Sequence, residues 1–247
     1  MRRVALIGGT RGMGRSLARK FVERGDSVAL LGRDQDELDK SKADLEARGA
    51  PGVKVATVQC DLAVPATFRP ALESAEQALD GVDTVVVTAG LFATQDQLEA
   101  DPALAHRVLT VDFANTVMFC EEARKKLLLR GKGTLCVFSS VAGDRARKPV
   151  VLYGAAKAGL SAYLEGLDHR YRAQGLTTVC VKPGFVKTAM TAGLPVPPFA
   201  GEPDEVADVV LEGIDDGTPV VYAPPIWRAV MTAIKAMPRF VMRRAKF

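Results

Sequence analysis

The sequence predicts an α/β fold: a single domain with a doubly wound, seven-stranded parallel sheet and helices on both faces. Short apolar runs of strand length recur along the chain, and longer amphipathic stretches of helical length separate them. The chain has 247 residues and is 48% hydrophobic. A chain of this length and composition buries a sizeable core as one large domain.

Seven apolar runs are the predicted strands, because they are rich in β-branched residues and are bounded by turn-forming or polar residues. They are Val4–Ile7, Val28–Leu31, Val53–Val58, Val82–Thr88, Thr134–Ser139, Thr177–Val181 and Val220–Tyr222. The stretches between them are the predicted helices. In the first, residues 13–24, Met13, Leu17 and Phe21 share a face, and Gly25 ends the helix. Right-handed connections between parallel strands then give the doubly wound order.

Two segments interrupt this alternation. Residues 190–203 contain several prolines and glycines beyond the sixth strand, where open α/β sheets bind their ligands, so this loop is a candidate lid over a substrate. Residues 226–247 form a basic amphipathic tail after a main domain of residues 1–225. The apolar stripe of the tail consists of Trp227, Val230, Met231 and Ile234. This stripe either packs on the body or on a sister subunit, or enters a membrane interface while arginines meet anionic headgroups.

Charge and motif content exclude several classes of protein. The formal net charge is +4, but the tail carries six basic residues and no acidic one, which leaves −2 on the rest of the chain. Nucleic-acid binding is not expected, since it calls for positive charge spread over a groove or stripe. His106 and His169 have no carboxylate or cysteine at ligand spacing, so no metal site is predicted.

Cysteine spacing and hydropathy bear on location. The four cysteines are widely spaced and form no C-x-x-C pair, which is typical of buried thiols in a reducing cytosol. The apolar run before Gly8 is too short for a signal peptide, and no run approaches the roughly 18 residues of a membrane span. We therefore expect a cytoplasmic protein, with the tail as a possible contact to the inner face of a membrane.

A glycine-rich turn follows the first predicted strand and opens the first helix. Its spacing, G-x-x-x-G-x-G, lets the backbone approach a pyrophosphate and directs the helix N-terminus at the negative charge. Any tight strand-to-helix turn can use glycine, but the position of this one at the head of alternating strands and helices favours a dinucleotide site. The candidate cofactor-binding residues here are Gly8, Thr10, Arg11, Gly12, Met13 and Gly14.

The end of the second predicted strand indicates which dinucleotide binds. An NAD site usually has an acidic residue there for the ribose 2′-hydroxyl, whereas an arginine accommodates a 2′-phosphate. This chain has Gly32 and then Arg33, and Arg11 in the glycine-rich turn could reach the same phosphate. The alternative is that both arginines are merely solvated and that Asp34 neutralises Arg33. The sequence predicts NADP(H) as the cofactor.

Tyr153, Lys157 and Ser140 form the candidate catalytic group. Tyr153 and Lys157 are four residues apart in a predicted helix and share a face, so the ammonium can favour the ionised phenol and lower its pKa. Ser140 directly follows the fifth predicted strand. Tyr153 is then a usable general acid or base.

With these residues in view, the chain resembles the short-chain dehydrogenase/reductase family over nearly its whole length, and the resemblance implies a Rossmann fold. The glycine turn corresponds to the family's T-G-x-x-x-G-x-G with Ile7 in the threonine position, and Thr88 stands where the family's N-A-G motif has asparagine. Ser140, Tyr153 and Lys157 match the catalytic serine and Y-x-x-x-K. Further cofactor-binding positions implied by the resemblance are Asp61, Leu62, Ala89, Gly90, Pro183, Gly184, Val186 and Thr188, besides Tyr153 and Lys157 themselves.

One departure from the family concerns the proton relay. By its spacing from Ser140, Asp112 occupies the position of the family's active-site asparagine, which anchors a water on the path from the lysine. An acid there can still hold water but adds negative charge, and this tends to keep protons on neighbouring groups. We therefore include Asp112 among the candidate catalytic residues.

The resemblance implies a reductase that transfers hydride from NADPH to a carbonyl carbon. Tyr153 protonates the developing alkoxide, Ser140 bonds the same oxygen, and Lys157 binds the nicotinamide ribose and lowers the pKa of Tyr153. The Ser139–Arg147 and Tyr153–Leu160 segments and the ending are most similar to reductases of a polyprenyl-phosphoryl 2-keto-pentose. Reduction of a 3-oxoacyl thioester or another lipophilic ketone, and a non-catalytic NADP-binding regulator, are the alternatives. By analogy, a homodimer or homotetramer forms through helices at about 100–130 and 152–174.

Overall fold

The computed structural model describes residues 1–245; Lys246, counted above in the basic tail, lies outside the described residues. Seven parallel strands form one sheet in the order β3-β2-β1-β4-β5-β6-β7. The strands are β1 Arg3–Ile7, β2 Ser27–Gly32, β3 Val55–Gln59, β4 Thr84–Val87, β5 Gly133–Phe138, β6 Leu176–Pro183 and β7 Val220–Ala223. This order reverses direction between β1 and β4, which is the doubly wound, Rossmann-like arrangement, so the predicted fold class is confirmed.

Helices connect the strands. They are α1 Gly12–Glu23, α2 Gln35–Arg48, α3 Phe68–Leu79, α4 Gln95–Ala100, α5 Pro102–Leu109, α6 Thr116–Leu129, α7 Val151–Tyr171, α8 Pro203–Asp216, α9 Ile226–Ala236 and α10 Arg239–Arg244. A π-helical turn, Thr110–Asn115, lies between α5 and α6. Short 3-10 turns follow β3, β5, α7 and β6 and precede α7.

The central strands β1, β2, β4, β5 and β6 are buried on both faces, and alternate residues along them enter different cores. The edge strands β3 and β7 are only partly buried. On one face, residues such as Ala5 and Ile7 pack with buried side chains of α3, α6 and α7. On the other, Val4 and Leu6 pack with those of α1, α2 and α8. This two-sided burial is the reason that the strands read as continuous apolar runs in the sequence.

The apolar stripe of the tail is part of the molecule's interior. In α9, Trp227, Met231 and Ile234 are buried against Val141, with partly buried Phe185 beside them. Of the alternatives for this stripe, packing on the body is the one the structure shows. The exposed apolar side chains of the following α10 are Phe240 and Val241.

Candidate active site

Side chains predicted to bind a cofactor lie at the carboxyl ends of neighbouring strands. The glycine turn follows β1, Arg33 follows β2, Asp61 follows β3 and Ala89 follows β4. Because β1 pairs with both β2 and β4, and β2 pairs with β3, these four positions share one edge of the sheet. This is the edge at which open α/β sheets bind nucleotides, on either side of the point where the strand order reverses.

The glycine turn fits tightly against the end of β4. Gly8 has a φ of +94°, and a Cβ atom there would lie 2.5 Å from the backbone nitrogen of Ala89 and 2.7 Å from Oγ1 of Thr88. A Cβ atom on Gly14 would collide with the carbonyl oxygen of Gly8. Helix α1 starts at Gly12, and within residues 1–245 no side chain caps its first amides. The turn therefore has the close backbone approach and the free N–H groups that a pyrophosphate requires.

Thr88 replaces the family's asparagine and ties β4 to β1. Its hydroxyl donates to the carbonyl oxygen of Ile7 over 3.1 Å, and its backbone N–H donates to the same oxygen over 3.0 Å. The hydroxyl also lies against the glycine turn, as the contacts of Gly8 show. Thr88 therefore holds the turn at the end of β1, beside the cofactor-binding glycines.

The two arginines expected at the 2′-phosphate differ in their partners. Arg11 is exposed, and its Nε lies 3.4 Å from Oε2 of Glu37. Arg33 is exposed and forms no ion pair with any residue in the described part of the chain. Asp34 accepts a hydrogen bond from the backbone N–H of Glu37 and caps α2. The carboxylate of Asp34 thus caps a helix, and the guanidinium of Arg33 is available to a ligand.

Asp61 and Leu62 form a fixed turn after β3. Oδ1 of Asp61 accepts from the N–H of Ala63 over 2.8 Å, and the carbonyl oxygen of Leu62 accepts from Nδ2 of Asn115 over 2.7 Å. Asn115 ends the π-helical turn that carries Asp112. The expected adenine-binding turn and the expected proton relay are therefore linked through a single amide side chain.

Ser140, Tyr153 and Lys157 meet at the carboxyl ends of β5 and β6. Ser140 follows β5 in extended conformation, and its hydroxyl accepts from the N–H of Ala142 over 3.1 Å. Tyr153 lies in the first turn of α7 and Lys157 in the next, with the Lys157 ammonium 5.6 Å from the Tyr153 ring centroid. The edge of the Phe92 ring packs against Tyr153, with a centroid distance of 5.1 Å.

Lys157 is buried and held between two oxygen atoms. Its Nζ donates to the carbonyl oxygen of Phe138 over 3.2 Å and lies 3.8 Å from Oδ2 of Asp112. Burial acts to lower the pKa of Lys157, but the charges of Asp112 and Tyr153 outweigh it, so the pKa is raised. The lysine is held as a cation in the site.

Asp112 is fully buried beside Lys157. Its Oδ1 accepts from the N–H of Leu91 over 2.6 Å, while its Oδ2 has no hydrogen-bond partner among residues 1–245. Burial raises the pKa of Asp112, and Lys157 opposes this. The carboxyl group sits in a π-helical turn, an element that is frequent at functional sites.

The pKa of Tyr153 is raised, which corrects the direction expected from its spacing to Lys157. Burial of the phenol is the largest cause; the charge of Lys157 lowers the pKa, Asp112 raises it, and the Ser140 hydroxyl lowers it. The lysine acts as expected, but a helical spacing does not reveal how deeply the phenol is buried. Tyr153 is therefore a neutral proton donor in this arrangement.

A cleft of about 1060 Å³ opens above these residues. It is lined by Ser140, Tyr153 and Lys157 and by the predicted cofactor-binding residues Met13, Gly90, Pro183, Gly184, Val186 and Thr188. The remaining predicted residues lie outside its lining: Gly8, Thr10, Arg11, Gly12, Gly14, Arg33, Asp61, Leu62, Ala89 and Asp112. Most of the outlying residues belong to the strand ends β1–β3, beyond the end of the cleft that Met13 and Thr188 line.

The predicted loop of residues 190–203 forms one wall of the cleft. Met190, Leu194, Pro197 and Phe199 line it, and Phe199 has a positive φ of 65°. The carbonyl oxygen of Phe199 accepts from the indole N–H of Trp227 over 3.1 Å, so α9 supports this wall. The loop lies where a lid over a substrate was expected.

Sequence reasoning missed several polar residues of the site. Asp144, four residues after Ser140, is bound by the ammonium of Lys182 at 2.5 Å and by the hydroxyl of Tyr222 at 2.6 Å. Arg147 lines the cleft. The charged run from Asp144 to Arg147, so soon after a catalytic serine, was the available signal.

Other predictions concern thiols, metals and membranes. All four cysteines are buried and free of disulfides, as expected. Among residues 1–245, no three His, Cys, Asp or Glu side chains are grouped so as to hold a metal ion. No helix in the same range is both long and apolar enough to cross a membrane.

The fold and this site define a class of proteins, the nucleotide-dependent oxidoreductases with a Tyr-Lys pair. Residues 2–196 match the family described as short chain dehydrogenase, and the chain belongs to that family. It is 32% identical to an uncharacterized oxidoreductase of Mycobacterium tuberculosis over 98% of this chain and 96% of the relative. It is 31% identical to a 3-oxoacyl-[acyl-carrier-protein] reductase of Aquifex aeolicus, over 85% of this chain and 88% of that protein.

The solved structure of a short-chain dehydrogenase from Sphingobium yanoikuyae in complex with NADPH is also similar. The two share 25% identity with a TM-score of 0.81, over 95% of this chain and 94% of the other. The protein is therefore a short-chain dehydrogenase/reductase, an NAD(P)-dependent oxidoreductase.

Proposed function

We propose that the protein reduces a carbonyl to an alcohol with NADPH, and that Tyr153 donates the proton. The observation that carries the proposal is a partly buried phenol that lines an apolar cleft next to a buried ammonium. A reductase needs its acid in the protonated form, and the raised pKa of Tyr153 keeps the phenol protonated well above neutral pH.

The residues present fit the cofactor. Gly8 and Gly14 leave a cradle that a Cβ atom would fill, and the exposed guanidinium of Arg33 suits a 2′-phosphate. Bound NADPH would supply the hydride. The Sphingobium relative, which holds NADPH, supports this choice. Gly184, Val186 and Thr188 would flank the nicotinamide, and Lys157 would bind its ribose.

Residues of this chain supply the proton and stabilise the charges that form during reduction. Hydride addition at the carbonyl carbon leaves an alkoxide, to which the Tyr153 hydroxyl gives its proton while Ser140 donates a hydrogen bond to the same oxygen. The resulting phenolate is stabilised by the ammonium of Lys157. Asp112 keeps Lys157 charged, because its carboxylate raises the pKa of the lysine.

The substrate we propose is a lipophilic ketone, since aromatic and aliphatic side chains form most of the lining of the cleft. A polyprenyl-phosphoryl 2-keto-pentose is one such compound, and the sequence resemblance of the Ser139–Arg147 and Tyr153–Leu160 segments supports it. A 3-oxoacyl thioester is the second, supported by the Aquifex relative. A non-catalytic regulator would also bind NADPH, but it would reduce no ketone and Tyr153 would donate no proton.

The first experiment is a parallel titration of the protein with NADPH and NADH. Trp227, the single tryptophan, lines the cleft, so energy transfer from its indole to the reduced nicotinamide reports binding there. We expect NADPH to bind at least about tenfold more tightly, a difference of about 1.4 kcal/mol. Oxidation of NADPH by a panel of lipophilic ketones then tests turnover; binding without any turnover supports the regulator, and no binding refutes the proposal.

A further inference from the structure

Arg147 is a cation on the wall of the cleft. Its Nε is buried and makes no hydrogen bond, and its guanidinium forms no ion pair with any acid in residues 1–245. Burial lowers the pKa of Arg147, and no neighbouring charge acts against this. The Arg147 side chain is partly buried, and a charge that is partly removed from water without a compensating charge is costly. A bound anion would offset that cost.

The position of Arg147 places it on the substrate side of the cleft. It lies between the 3-10 turn Val141–Gly143, which follows Ser140, and the 3-10 turn Lys148–Val150, which leads into α7 and Tyr153. Helix α4 closes this side, because Oε1 of Gln95 accepts from the first amides of α7 at 3.0 and 3.2 Å. The arginine is therefore built into the short connection between two catalytic residues.

The cofactor's phosphates do not explain this charge. The glycines of the turn and Arg33, which suit those phosphates, follow β1 and β2 and lie outside the lining of the cleft. The single acid among the lining residues is Asp96, which is exposed and unpaired with Arg147. Lys148, exposed and next in sequence, adds a second positive charge to the same lining.

Most of the other residues that line the cleft are apolar. They include Leu91, Phe92, Val141, Phe185, Leu194 and Trp227. A guanidinium in such surroundings binds a carboxylate or phosphate strongly, because it offers paired donors in a planar fork and the surrounding dielectric is low.

We infer that the substrate carries an anionic group, a carboxylate or a phosphate, on an apolar body, and that Arg147 binds this group while the carbonyl reaches Tyr153. The inference deepens the proposed carbonyl reduction and depends on it for the carbonyl. The anion site itself is testable without turnover.

The binding test uses decanoate, decyl phosphate and the uncharged 1-decanol, each titrated against the full-length protein by calorimetry. We expect at least one anion to bind about tenfold or more tightly than decanol, and Arg147→Gln to abolish that advantage while decanol affinity stays within about twofold. Arg147→Lys, which keeps the charge, should retain part of it. Lys132→Gln, which removes one exposed charge outside the cleft, should change nothing. The tighter of the two anions identifies the group as carboxylate or phosphate.

The kinetic test compares methyl ketones that end in a carboxylate, over a series of chain lengths, with their methyl esters. In Arg147→Gln the KM for the acids should rise about tenfold or more while the esters keep their kcat and KM. Melting temperature and NADPH affinity confirm that the variant is folded.

The outcomes separate the two proposals. If the protein reduces the esters but binds neither anion more tightly than decanol, the anion site is refuted and the proposed reductase activity is not. If Arg147→Gln loses the preference for the anion and the unaltered protein reduces no ketone, the anion site is supported and the proposed reductase activity is refuted. An anion preference that survives Arg147→Gln would assign the charge recognition elsewhere and overturn the inference.

Discussion

The carboxylate of Asp112 and the ammonium of Lys157 form a buried pair, 3.8 Å apart, beneath the phenol of Tyr153. Neither side chain of the pair is appreciably exposed, and one carboxylate oxygen has no hydrogen bond among residues 1–245. In the family this position holds a neutral amide. Here a second charge enters the site, and it acts on the protonation of both the lysine and the tyrosine.

Replacing Asp112 by asparagine should move the pH profile of reduction to lower pH. Reduction needs the protonated phenol, so its rate is full below the pKa of Tyr153 and falls as pH rises through it. Asp112 raises that pKa, so Asp112→Asn lowers it and the rate falls at lower pH. The measurement is kcat/KM for ketone reduction as a function of pH. Ser140→Ala should displace the profile in the opposite direction, because the Ser140 hydroxyl lowers the pKa of Tyr153. Equal displacement in both variants would contradict this account.

Tyr153→Phe should abolish most of the turnover and preserve the cofactor site. Loss of a positioned acid costs on the order of 10²–10⁴ in rate. The rings of Phe92 and Tyr153 pack nearly perpendicular to each other, and phenylalanine retains that contact. NADPH affinity, followed by energy transfer from Trp227, should stay within about twofold, about 0.4 kcal/mol. A reduction rate near that of the unaltered protein would show that a group other than Tyr153 donates the proton.

Cofactor preference should depend on Arg33 more than on Arg11. Arg33 has no ion-pair partner in the described part of the chain, whereas Arg11 already lies 3.4 Å from Glu37. We expect Arg33→Ala to weaken NADPH binding about tenfold or more and NADH binding hardly at all. Arg33→Ala combined with Arg11→Ala should erase the discrimination, and Glu37→Gln should strengthen NADPH binding by releasing Arg11. Unchanged discrimination in the double variant would refute the 2′-phosphate site.

The sequence predicted the central strands well because they are buried on both faces. The predicted fourth strand, Val82–Thr88, exceeds β4 by Val82 and Asp83 at its start and by Thr88 at its end, and Val82 is buried although it precedes the strand. The glycine turn and the Tyr153–Lys157 pair could be recognised in the sequence because local backbone geometry fixes the spacing of their residues. Both signals lie within a single turn or helix.

What the sequence could not predict depends on contacts between distant segments. Asp144, Lys182 and Tyr222 come from the loop after β5, from β6 and from β7, and no local pattern connects them. The direction in which the pKa of Tyr153 shifts depends on how far the fold buries the phenol. Whether Arg147 has an ion-pair partner depends on where the fold places every acidic side chain, and among residues 1–245 none pairs with it. These contacts and pKa shifts arise only when the fold brings distant segments together.

Self-association should depend on the exposed apolar face that runs from α5 into α6. Leu109, Phe113 and Met118 are 37%, 38% and 54% exposed, and the Phe113 ring lies beside Gly159 of α7. Apolar side chains grouped in this way commonly mark an interface. We expect a dimer or tetramer by light scattering and a smaller species for Phe113→Asp. Val196→Asp, which alters an apolar side chain exposed on the loop of residues 190–203, is the control and should leave the mass unchanged.

The buried Asp144–Lys182 pair should contribute to stability and to the placement of Ser140. The two side chains are 2% and 12% exposed, and Asp144 also accepts a hydrogen bond from Tyr222 at 2.6 Å. Asp144→Asn keeps an acceptor for Tyr222 but leaves the ammonium of Lys182 without a counter-charge. Removing one partner of a buried pair costs about 3–5 kcal/mol.

Urea denaturation at a fixed protein concentration measures this cost as a lowered free energy of unfolding. The matched control is Glu46→Gln, which breaks an exposed pair with Lys42 and should change the free energy of unfolding by less than about 0.5 kcal/mol. Because Asp144 anchors the segment four residues beyond Ser140, its replacement should also lower kcat at temperatures where the variant is folded. A stable Asp144→Asn protein with unaltered kcat would show that neither the pair nor the anchoring of the Ser140 segment matters.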